Sequence, residues 1–120
     1  MLDTVQISQI LLRFGGLTQA ELADAMPVVA VCAAQCYKRL KAPEFQKEPA
    51  VLEAAAAIAN YRLLLRSPKI REGETQFRAG EVSVSKSPAA LLEAAVRLRD
   101  DCLLAAAPYF NDDNFMFAQV

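Results

Sequence analysis

Histidine is missing from the chain altogether, which removes the commonest general base and one of the commonest metal ligands. Cysteine is scarce, and its count is odd. Cys32, Cys36 and Cys102 offer one short spacing and one leftover thiol, which argues against a disulfide framework. Cys32 and Cys36 are four apart in a helical pattern and share one face. A metal site there would need further ligands, so buried free thiols in a reducing compartment account for the pair. Charge of one sign is lacking as well: 13 basic and 14 acidic residues give a net charge of −1. That balance provides no long-range attraction to polyanions, which makes nucleic acid and anionic membranes poor default partners. Long apolar runs are also absent. The longest, around Pro27–Ala34 and Ala54–Ala59, fall far short of a bilayer span. Met1-Leu2-Asp3-Thr4 lacks the basic start and apolar run of a signal peptide, so the expected location is the cytoplasm.

Catalytic motifs are missing too. No phosphate loop, dinucleotide fingerprint or nucleophile elbow occurs. Asp100 and Asp101 are adjacent on a helical pattern and point in different directions. Asn111-Asp112-Asp113-Asn114 is oxygen-rich but lacks the central glycine and distal glutamate of a calcium loop, and helix punctuation explains it better. The sequence therefore assigns no catalytic residue, no metal ligand and no cofactor, and predicts no small-molecule substrate. It contains no internal repeat and no low-complexity tract.

What is present is apolar material in helical periodicity. With 120 residues, 54% hydrophobic and 22% charged, the chain suits one all-α domain spanning 1–120. Much of the apolar content is alanine, which lets helices approach closely but contributes little transfer energy per side chain. A domain built this way often gains further stability from a partner or an oligomer. Four helices are expected. The first covers Thr4 to Phe14 and stops at Gly15-Gly16. The second opens on a capping box, Thr18-Gln19-Ala20-Glu21, and runs to about Leu40 along the stripe Leu22, Met26, Val29, Ala33, Cys36 and Leu40. Pro27 lies inside it and predicts a kink or short break. Lys41 to Lys47 reads as a polar link. Pro49 starts the third helix, which Ser67-Pro68 ends. The fourth starts at Ser87-Pro88 and runs to about Ala107, with Leu91, Ala95, Leu98, Cys102 and Ala105 on one stripe and Leu92, Val96 and Leu103 on a second.

Two segments depart from this rhythm. Residues 69–86 contain the alternating runs Thr75, Phe77, Ala79 and Val82, Val84 on either side of Gly80, which predicts a short β-hairpin or extended arm between helices 3 and 4. An isolated hairpin is marginal in water, so it should lie on the helices or pair with another chain. The tail, 109–120, carries Tyr109, Phe110, Phe115, Met116, Phe117 and Val120, and so aromatic a terminus is expected to dock on its own domain or on a neighbour.

Gly16-Leu17-Thr18-Gln19-Ala20-Glu21-Leu22-Ala23 looks like the positioning helix of a helix-turn-helix motif. The segment that follows, Met26 to Ala34, is apolar and cannot make the donor and acceptor contacts that read bases. Sequence-specific nucleic-acid binding is therefore not expected. Lys38, Arg39 and Lys41 close the second helix, Arg62 and Arg66 close the third, and Arg97 and Arg99 lie on the fourth; several sit near helix C-termini, where the dipole favours positive charge, and solvated faces explain them. A salt-bridged subunit contact is the functional alternative.

From Pro49 onward the order of features resembles the head–tail connector (adaptor) proteins of tailed bacteriophages and prophages. The likeness covers about three-fifths of the chain and is carried by Ala59-Asn60-Tyr61-Arg62-Leu63, by Phe77-Arg78-Ala79-Gly80-Glu81-Val82-Ser83-Val84, by Leu91-Leu92-Glu93-Ala94-Ala95 through Leu104-Ala105-Ala106-Ala107, and by Phe115-Met116-Phe117. It implies a non-enzymatic helical protomer that assembles with copies of itself as a ring beneath the portal and offers the tail a docking surface. The protein would then be found in the bacterial host cytoplasm and in the virion. Ring contacts are heterologous. Phe77, Arg78, Val82 and Val84 in the arm, with Phe115, Phe117 and Val120 in the tail, are the expected contact residues, with local core as the alternative for each. The mixed charges leave no acidic face to assign to a DNA channel. A small cytoplasmic regulatory protein, binding one partner through the wide apolar face of the fourth helix, is the competing expectation.

Overall fold

The computed structural model describes residues 2–14, 17–66 and 88–111. Among them are four α-helices and no strand: α1 (Thr4–Arg13), α2 (Gln19–Lys38), α3 (Pro49–Arg66) and α4 (Pro88–Ala106). The expected β-hairpin or arm at 69–86 and the tail beyond 111 lie outside the described residues.

Local chemistry sets the helix ends. Asp3 caps α1 by accepting from the backbone N–H of Val5 at 2.9 Å and of Gln6 at 3.3 Å. The capping box of α2 is formed in full: Thr18 N–H donates to Glu21 Oε1 at 2.9 Å, and Glu21 N–H donates to Thr18 Oγ1 at 3.2 Å. In the first turn of α3 the N–H groups of Val51 and Leu52 donate to Glu48 O at 3.0 and 3.1 Å. Proline occupies the one position where a missing N–H is harmless.

The sequence predicted a kink or a short break at Pro27; no break occurs, since α2 runs continuously from Gln19 to Lys38. Pro27 and Ala23, whose carbonyl would have accepted the missing bond, are both exposed, so water can satisfy the freed oxygen. Within the polar link at Lys41 to Lys47, Pro43–Lys47 forms a 3-10 turn, with Pro43 at its start.

The hub of the fold is α3. It packs most extensively on α4 and also against α2 and α1. Val51, Leu52 and every residue from Ala54 to Ala59 are buried, covering all sides of the helix over that stretch. A helix buried all round belongs at the centre of a bundle. Five of those residues are alanine, so neighbouring helices can approach its backbone closely. Around it lie Ile7 and Leu11 of α1, Val29, Cys32 and Cys36 of α2, and Leu103 of α4.

Candidate interaction surfaces

Three places in the described structure combine polar chemistry or apolar exposure with fixed geometry. The first is the seam between α3 and α4. Arg99 is only 6% exposed, with its guanidinium carbon 4.6 Å from the centre of the Tyr61 ring. Its Nε and Nη2 both donate to Asp100 Oδ1, at 3.1 and 3.0 Å. A cation over an aromatic face, with a carboxylate at its outer edge, keeps the charge compensated where water is largely excluded. The solvated-face reading of Arg99 is therefore wrong. For Arg97 it is right: an exposed ion pair joins Arg97 Nη2 to Glu93 Oε2 at 3.1 Å, one turn away.

Both expected stripes of α4 contribute to its inward side: Ala95 of the first and Leu103 of the second are buried, Leu91, Leu98 and Cys102 of the first and Leu92 and Val96 of the second are half-buried, and Ala105 is exposed. The addition is Arg99, buried between them with Ala106.

The second place is the thiol pair. Cys32 and Cys36 lie on one buried face of α2, and Arg62 of α3 donates from Nη1 to Cys32 Sγ at 3.5 Å. Burial pushes Cys36 up to about 12; the adjacent Cys32 adds to the shift, and Arg62 opposes it. Burial also raises Cys32, against the pull of the Arg62 and Arg66 guanidinium groups. Burial raises Cys102 too, helped by the carboxylates of Glu53 and Asp101. These are protonated sulfurs at neutral pH, poor as nucleophiles. Among the described residues, no group of three or more cysteines and carboxylates could hold a metal ion.

The third place is the end of the described chain. After α4 a 3-10 turn, Ala107–Tyr109, delivers Phe110 against α2's C-terminal end. Phe110 is buried and forms an antiparallel bridge with Leu40. Lys41 N–H donates to Tyr109 O at 2.9 Å, and Asn111 N–H donates to Arg39 O at 2.7 Å. The Tyr109 ring meets Phe45 edge-on, 5.1 Å between centres. The tail thus begins by docking on its own domain.

The contact residues expected from the sequence, Phe77, Arg78, Val82 and Val84 in the arm and Phe115, Phe117 and Val120 in the tail, all lie outside the described residues. What the structure adds is apolar exposure on the helices. Leu104 of α4 is 71% exposed beside exposed Ala105, and Val31 of α2 is 51% exposed. No described helix is long and apolar enough to cross a membrane. The continuous α2 leaves no turn after the Thr18 segment, so the two-helix geometry of a helix-turn-helix is not formed there.

Comparison with protein-family models, with curated proteins and with solved structures finds no match to this chain.

Proposed function

We propose that this chain is a non-enzymatic assembly protein, a head–tail connector of a tailed bacteriophage or prophage that forms a ring with copies of itself beneath the portal. Its partners are then its own neighbours and the portal and tail proteins, and it resides in the host cytoplasm before entering the virion. The observation that carries this reading is Leu104. A leucine 71% exposed on α4, with Ala105, Ala107 and Pro108 exposed beside it, is an apolar projection suited to a neighbouring subunit. A heterologous ring contact needs such a surface on one side and a different one on the other. The layout of features from Pro49 onward supports the same reading.

The same leucine favours one alternative, a small regulatory protein that binds a single partner through α4. Sequencing the genes on either side separates the two. Portal, capsid and tail genes are expected for the connector, and a neighbourhood of metabolic or regulatory genes would sink it.

A further inference from the structure

The outer face of α2 is unusual for a helix packed on a core. Ala20, Ala23, Pro27 and Ala30 are exposed and Ala34 is half-buried, on the side opposite the buried Val29, Cys32 and Cys36. A solvent-facing stripe is normally polar. These residues follow one another at alternating spacings of three and four. That is the rhythm at which one helix lies along another, and side chains this small let the two backbones come close.

Beside the stripe runs a second line. Asp24, Val31 and Lys38 are exposed and recur every seventh residue, so they share one edge of the face. Among the described residues neither Asp24 nor Lys38 forms an ion pair. The order along the edge is acid, apolar, base. Val31 stands midway, with about 10 Å of helix between it and each charge. Such an edge is complementary to itself when reversed. Laid antiparallel about a two-fold axis through Val31, it sets Asp24 of each helix opposite Lys38 of the other. A partner for this face must therefore present a base, an apolar residue and an acid at the same spacing, and the same helix of a second copy does so.

We infer that the outer face of α2 docks the same face of a second copy, the two helices lying antiparallel about a two-fold axis at Val31, with Asp24 of each paired to Lys38 of the other. The Ala23 carbonyl, which Pro27 leaves without a helical donor, lies next to Asp24, within reach of the same lysine. A face about 27 Å long and about 10 Å wide is well short of the roughly 800 Å² that each partner buries in a standard interface, so the dimer is weak. The contact is isologous and closes at two copies, whereas ring contacts are heterologous. It concerns the free protein and stands or falls apart from the connector reading.

The test is sedimentation equilibrium of the full chain from micromolar to millimolar concentration. A reversible monomer–dimer equilibrium that weakens with added salt is expected. Asp24→Lys and Lys38→Asp, both at exposed positions, each set like charges opposite one another at two symmetric points. Each should weaken dimerisation about tenfold or more while helical circular dichroism stays intact. The double variant, Asp24→Lys with Lys38→Asp, re-forms both pairs in reverse and should recover most of the parent's affinity. A chain that stays monomeric at millimolar concentration would overturn the inference. So would a dimer that either single variant leaves unaltered, or one that the double variant fails to restore.

Discussion

Arg99 places its guanidinium 4.6 Å from the centre of the Tyr61 ring and so joins α4 to α3 through a charge in the inward line of α4. Arg97, two residues earlier on the same helix, is exposed and pairs with Glu93. These two arginines give the first prediction. Arg99→Ala loses a desolvated cation–π contact and the packing of its stem, and should cost about 1–3 kcal/mol. Arg97→Ala breaks a screened surface pair and should stay within about 0.5 kcal/mol of the parent. Urea unfolding followed by circular dichroism measures both, and equal costs would contradict the burial of Arg99.

The all-round burial of α3 gives the second prediction. Ala55 has no exposed surface, so Ala55→Leu must force its neighbours apart and should destabilise by about 1–3 kcal/mol. Ala94 of α4 is exposed, and Ala94→Leu should change stability by less than about 0.5 kcal/mol. Thermal melts of the pair decide it. A neutral Ala55→Leu would mean that the helices around α3 are not in close contact.

The thiols give the third. Burial raises Cys36 to about 12 in the folded chain from an ordinary value near 9.0. A folded-state value above the unfolded one means that its stabilising contribution is complete below pH 9 and is lost as pH rises from 9 toward 12. Across that window the folded state holds a proton that the unfolded state releases, so stability should fall as pH rises. Cys36→Ala should be less stable at pH 7 because of the cavity, yet show a shallower decline above pH 9. Urea midpoints of the two proteins from pH 7 to 10.5 test this, and parallel curves would contradict it.

Much of this fold is legible in the sequence where the cause is local. The Thr18–Glu21 box, Pro49 at a helix start and Phe14 before the glycine pair mark helix boundaries through groups within one turn of each other. In α4 the apolar positions were legible and Arg99 was not. Ala95 and Leu103, one from each expected stripe, are buried, and Arg99 is buried between them. The Tyr61 ring on α3, far away in sequence, helps to accommodate that charge inside, and periodicity within one helix carries no sign of it. The central position of α3 was hidden for a different reason: alanine is weakly apolar, so six consecutive buried residues leave no periodic signal. At Pro27 the sequence could not separate a kink from a break, because the cost of a missing hydrogen bond depends on whether water reaches the freed carbonyl, which is a property of the packed structure. The tail's docking on its own domain was one of two outcomes its aromatic content allowed, and Phe110 settles it for that residue. The expected contact residues in the arm and beyond residue 111 lie outside the described residues.

The central claim is assembly into a virion, and the most direct test is quantitative mass spectrometry of tailed particles purified from cells that carry the gene. The connector reading predicts that this chain co-purifies with full particles through density gradients, at a fixed stoichiometry to the portal protein. Its absence from such particles, with the chain recovered instead in a soluble one-to-one complex, would contradict the connector reading and leave the regulatory one.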